Sequence, residues 1–148
     1  FMGRSQPQEV RVRREAAARA MDFLAQFSPR LVGPVLEGTA DSSSSVLLHL
    51  HADDVDAVSR FLEENRLSAE ARSRHLRLDR SRSEDFPVWV FNAEALSFDL
   101  TVLPEDTLRQ APLSPVDERP MKRASLSGLQ RLLAQEDIAA YESGQAPG

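Results

Sequence analysis

Three observations predict an α/β domain of about five strands with helices packed on the sheet. Residues 9–27 carry apolar side chains at helical spacing. Two short apolar runs, 31–36 and 46–50, flank a turn rich in glycine and serine. From Leu67 onward the period shortens to two.

In the first helix, 9–27, Ala17, Ala20, Met21, Leu24 and Phe27 form one buried stripe, while Arg13, Arg14, Arg19 and Gln26 face outward. Ser28-Pro29 ends it, because a residue before proline is pushed out of the helical region. A strand follows over 30–37, with Pro34 marking an edge or bulged position. Gly38 to Ser44 is a turn, and 45–51 is a second strand. Alternation there places Ser45, Leu47, His49 and His51 on one face and Val46, Leu48 and Leu50 on the other. Asp53-Asp54 then cap a helix over 54–65 that buries Val55, Val58, Phe61 and Leu62.

Strands at 68–78, 86–92 and 95–103 complete the core, with a turn near Asn92-Ala93-Glu94. On the last strand, Phe98, Leu100 and Val102 line one face and Asp99 and Thr101 the other. Trp89, Phe86, Phe91 and Phe98 read as core. Prolines at 104, 112, 115 and 120 make 104–123 a long wrapping loop. Ser125 caps a short terminal helix to Leu133, and the last ten or so residues are expected to be disordered. Residues 9–104 thus form the core and 105–148 a proline-rich tail. Phe1-Met2-Gly3-Arg4, followed by linker-like Ser5-Gln6-Pro7-Gln8, predicts a fragment of a longer protein.

Composition narrows the function classes. The chain has 148 residues, a net charge of −5 and no cysteine, which removes disulfide scaffolds and thiolate metal sites. No apolar run approaches the roughly 18 residues of a membrane helix, and no signal-peptide pattern is present. A bacterial-type cytoplasm is the expected setting. All but one of the 18 basic residues are arginine, a bias that GC-rich coding explains as readily as phosphate binding.

The segment Leu36-Glu37-Gly38-Thr39-Ala40-Asp41-Ser42-Ser43-Ser44-Ser45-Val46-Leu47 carries the one specific motif. Its order of strand, Gly-Ser/Thr turn and strand resembles the signature of the nucleotidyltransferase superfamily, and the likeness spans roughly residues 10–104. The resemblance implies a nucleotidyltransferase-like mixed sheet. It also implies nucleotide binding at Gly38 and Thr39, where the backbone would approach a triphosphate, and at Ser44 and Ser45. Active members hold their metal ions with two aspartates spaced Asp-x-Asp at the start of the second strand. Here those places are Ser45 and Leu47. Asp99 matches the third carboxylate, a catalytic position left vestigial. A serine hydroxyl is a weak neutral ligand and leucine is none, so metal-dependent transfer is expected to be lost unless Glu37, Asp41 or Asp53 substitutes. No metal ion or other cofactor is called for.

Other constellations are weaker. His49-Leu50-His51-Ala52-Asp53-Asp54 resembles the start of a metallohydrolase motif but lacks its further histidines, and reads as histidines on a partly exposed strand face. Arg66, Arg72, Arg74, Arg77, Arg80 and Arg82 lie within 17 residues. Arg72, Arg74, Arg77 and Arg80 are the place to look for a nucleic-acid or phosphate patch. Interleaved acids and absent aromatics favour an ion-paired, solvated face. The serine run shows no triad, and Met121-Lys122-Arg123 reads as a surface cluster.

These residues lead to one expectation and two alternatives. The first is a catalytically degenerate nucleotidyltransferase-like domain acting as a binding module for nucleotide, nucleic acid or a protein partner, with no membrane association. One alternative is an active nucleotidyltransferase with displaced metal ligands. The other is a structural or oligomerisation domain.

Overall fold

The first helix starts earlier than its apolar stripe suggests. In the computed structural model, which describes residues 3–144, helix α1 spans Gln6–Phe23 and continues as a 3-10 turn over Ala25–Phe27. The residues that read as a linker are its cap. Ser5 accepts from the Gln8 amide, Gln8 Oε1 accepts from the Ser5 amide, and Pro7 sits in the first turn. Ala17, Met21, Leu24 and Phe27 are buried as expected, but so are Arg13 and Arg14. Their guanidinium groups face inward because the following loop presents carbonyls to them.

Five strands form one mixed sheet: β1 (Arg30–Val32), β2 (Val46–His51), β3 (Glu70–Arg77), β4 (Ser83–Ala93) and β5 (Leu96–Leu103). Their order is β1-β2-β5-β4-β3, with β2 and β5 parallel and the other pairs antiparallel. The α/β class and the strand count match the reading of the sequence. The region 30–37 does not, because only Arg30–Val32 is extended. Gly33, at φ +76°, turns the chain, and Pro34 opens helix α2 (Gly33–Glu37). Proline lacks an amide to lose at that position and its fixed φ suits a first helical turn.

Helix α3 spans Ala57–Glu64 and begins later than Asp53-Asp54 predict. Asp54 accepts from the Asp56 amide and pairs with Arg60, while Asp53 accepts from the Glu105 amide, so neither caps the helix. Val55 consequently stays in the turn, 61% exposed, whereas Val58 and Leu62 are buried. The β4–β5 hairpin closes through Glu94 and Ala95, at φ 55° and 63°, the left-handed pair that matches strand twist. The turn therefore falls two residues beyond Asn92.

One face of the sheet holds the main core. Leu48, Leu50, Phe98, Leu100 and Phe91 pack there against Ala17, Met21 and Leu24 of α1, Val58 and Leu62 of α3, and Leu129 of helix α4 (Leu126–Glu142). Trp89 shares this face but is only partly buried. Helix α4 is capped by Ser125 as expected, yet runs nine residues past Leu133, from 134 to 142. Arg11 and Arg14 hold its far turns through Glu136 and Asp137. The expected terminal disorder thus meets helix up to Glu142, and residues 145–148 lie outside the described residues. The wrapping segment 104–123 includes a 3-10 turn over Glu105–Leu108 and ends where Ala124 bridges to Leu31 at the sheet edge. Among the described residues, no helix is long and apolar enough to cross a membrane.

Candidate functional site

The second face of the sheet carries Leu47, His49, Arg74 and Asp99 of the residues singled out by sequence. In register across β1, β2, β5 and β4 lie Val32, Leu47, Asp99 and Val90, and one step along lie Arg30, His49, Thr101 and Val88. Parallel pairing of β2 with β5 sets Leu47 directly beside Asp99. Ser45 lies just before β2, outside the paired strand.

Asp99 is bound by an arginine. The Arg74 guanidinium donates to both carboxylate oxygens, at 2.7 and 2.8 Å, and to Thr101 Oγ1 at 2.7 Å. The Asp99 side chain is 13% exposed and that of Arg74 is 36% exposed. The Asp99 hydrogen bonds raise the pKa of Arg74 against the opposing effect of burial, so its guanidinium stays charged.

Leu47 occupies the other side of this place. A Cβ built on Gly33 would lie 2.8 Å from Leu47 Cδ1, so the leucine packs into the niche left by the missing side chain. The glycine that touches the motif strand is therefore Gly33, at the end of β1, and not Gly38. Gly38, at φ +83°, instead ends α2. Its amide and those of Thr39 and Ala40 all point to the Pro34 carbonyl, at 2.9, 2.9 and 3.2 Å. These three donors are committed inside the loop and do not converge on a ligand space.

The loop is clamped from behind. Arg13 donates to the Ser44 and Ser42 carbonyls, Arg14 to those of Val35 and Leu36, and Gln6 to those of Gly38 and Ala40. Arg13 also pairs with buried Glu9 at 2.6 Å. Five-donor arginine forks satisfy buried carbonyls that no strand partner reaches. Ser44 Oγ accepts from the Asp41 amide, and Ser43 donates to the Asp41 carboxylate, which these bonds hold below its usual pKa. Asp41 is engaged in its own turn, Asp53 with Glu105, and no group of three His, Cys, Asp or Glu side chains forms a cluster among the described residues.

The arginine run divides by pairing. Arg72 pairs with Glu70 at 2.5 Å, Arg77 with Glu118 at 2.8 Å, and Arg82 lies 3.3 Å from Glu84. Arg80 sits at the exposed β3–β4 turn, where its carbonyl accepts from Arg77. Arg72, Arg77 and Arg80 thus do not join Asp99; only Arg74 does.

The histidines are buried, which corrects the partly exposed strand face. His49 and His51 are each 3% exposed, because the segment 104–123 wraps over their end of the sheet. His51 Nδ1 donates to the Ser28 carbonyl at 2.8 Å, while His49 Nδ1 and His51 Nε2 have no partner. Burial, with the nearby arginines, lowers both pKa values to about 4. Arg123 is half-buried rather than part of a loose surface cluster: it donates to the Thr107 and Leu108 carbonyls at 2.7 and 2.5 Å. An open groove of about 700 Å³, lined by Leu62, Arg66, Leu67 and Trp89, lies on the opposite face and shares none of these groups.

Scans against protein-family models and against curated proteins find no match to this sequence.

Proposed function

We propose that this chain is a nucleotidyltransferase-like domain in which an arginine–carboxylate pair stands where active members hold metal ions, and that it serves as a binding module within a longer protein. The observation that carries this reading is Arg74 gripping Asp99 directly beside Leu47. A guanidinium supplies positive charge at the carboxylate, as a metal would. It has no open coordination position, so it polarises no phosphate as a Lewis acid and binds no activated hydroxyl. Phosphoryl chemistry is lost while anion affinity is kept. Arg74 remains partly open to solvent, and a nucleotide phosphate approaching along this face meets a fixed cation already oriented by Asp99 and Thr101.

The test is titration with each of the four ribonucleoside triphosphates and with single-stranded RNA, in magnesium and in a chelator. Binding that is independent of magnesium, without pyrophosphate release, and weakened about tenfold by Arg74→Ala is expected. Magnesium-dependent nucleotide transfer would favour displaced metal ligands instead. Absence of binding to every nucleotide and to RNA would favour a structural role.

A further inference from the structure

A second group of cations lies farther along the same sheet face and is not paired with carboxylates. Arg30 stands in register with His49 on β2, and Ala124 bridges to Leu31. That antiparallel bridge, closed by hydrogen bonds of 2.8 and 3.0 Å, places Arg123 diagonal to Arg30 on the face that His49 shares. Arg30 donates to the Pro29 carbonyl and Arg123 to the Thr107 and Leu108 carbonyls. Among the described residues neither has an ion pair. Asp99, two positions from Thr101 on β5, is held by Arg74 through both its oxygens, and Glu70, farther across this face, pairs with Arg72. Beside Arg30 in register, His49 is 3% exposed and its Nδ1 has no partner.

Two half-buried guanidinium groups side by side repel each other, and carbonyl dipoles offset that repulsion only in part. Arg123 accordingly has its pKa lowered, first by burial and then by Arg30. The N–H groups of Arg30 and Arg123 that are not bound to carbonyls can donate to a tetrahedral oxyanion, and the neutral imidazole beside Arg30 adds a donor once its tautomer places the proton on Nδ1.

We propose that Arg30 and Arg123, with His49 beside Arg30, form a receptor for a phosphate group, apart from the Asp99–Arg74 pair. The ligand is a small phosphate dianion, either the free ion or the terminal group of a phosphomonoester. Two guanidinium groups, from β1 and from the returning tail, supply the positive charge and the neutral His49 of β2 a hydrogen-bond donor, so its binding ties the segment before α4 to the sheet edge.

Calorimetric titration of the full chain with inorganic phosphate, at pH 7 and low ionic strength, tests this. Saturable binding of one equivalent is expected, with a Kd below about 1 mM. Arg30→Gln weakens it about tenfold, whereas Arg74→Ala weakens it much less. Arg123→Gln has the same effect as Arg30→Gln if it folds. Should it unfold, because Arg123 braces two carbonyls, Arg30→Gln alone decides, since Arg30 holds only its neighbour's carbonyl. Adenosine monophosphate binding as well as phosphate identifies a monoester, and phosphate binding alone identifies the free ion. Unsaturable binding, or unchanged affinity in Arg30→Gln, overturns the proposal. Loss of triphosphate binding in Arg74→Ala with phosphate binding intact separates the two sites.

Discussion

Arg74 on β3 donates to both carboxylate oxygens of Asp99 on β5, reaching across β4, which lies between them in the sheet. Removing either partner leaves a different residue behind. Arg74→Ala strands a carboxylate that is only 13% exposed, while Asp99→Ala frees a guanidinium that is 36% exposed and turns to water. Urea denaturation is expected to show a loss of about 2 kcal/mol for Arg74→Ala and about half that for Asp99→Ala. Equal losses would mean that the carboxylate is better solvated than its burial suggests.

Stability should fall on mild acidification. His49 and His51 are held at about 4 in the fold, by burial first, against an ordinary 6.5. The charged groups around them are Arg30, Arg74 and Arg123, all of which oppose protonation, and Asp99, which favours it at His49. Between pH 6.5 and about 4 the unfolded chain binds protons that the fold refuses. The stabilisation is therefore complete above pH 6.5 and is lost as pH falls toward 4, by on the order of 2 kcal/mol per histidine at pH 5. His49→Gln should cut the difference between pH 7 and pH 5 by roughly half in denaturant titrations. An unchanged difference would place the proton uptake elsewhere.

Gly33 is expected to tolerate no side chain. Its φ of +76° disfavours any L residue, and a Cβ would press on Leu47 Cδ1 at 2.8 Å. Gly33→Ala should cost about 2–3 kcal/mol in thermal or chemical denaturation. Leu47→Ala added to it should recover only the steric part, leaving about 1 kcal/mol of backbone strain. Full recovery would show that the backbone relaxes freely here.

Much of the sheet was legible because period two is visible within a few residues. The faces of 96–103 followed from Phe98, Leu100 and Val102 alternating with Asp99 and Thr101, and the β2 faces from Val46 to His51. The pairing of Asp99 with Arg74 was not legible. It depends on the register of two hairpins, and six arginines within 17 residues offer no signal to rank one above the rest. Arg13 and Arg14 misled for a related reason. Charge on a helix defaults to the solvent face, and the carbonyls that draw them inward belong to residues 35–44. Gly33-Pro34 did carry a readable signal, since proline in a first helical turn after a left-handed glycine ends a strand. The apolar run around it hid that signal.

The proposed role of Arg74 is to stand in for a metal ion at Asp99. Manganese titration, read by water-proton relaxation, tests this directly on the native chain, on Ser45→Asp/Leu47→Asp, and on the same pair with Arg74→Ala. The aspartate introduced at position 47 lies directly beside Asp99 and the one at position 45 just before the strand, but Arg74 occupies both oxygens of that third carboxylate. The expected order is no saturable site in the native chain, weak binding in the double variant, and binding at least about tenfold tighter once Arg74 is removed. Equal affinity with and without Arg74, in variants that remain folded, would contradict the account.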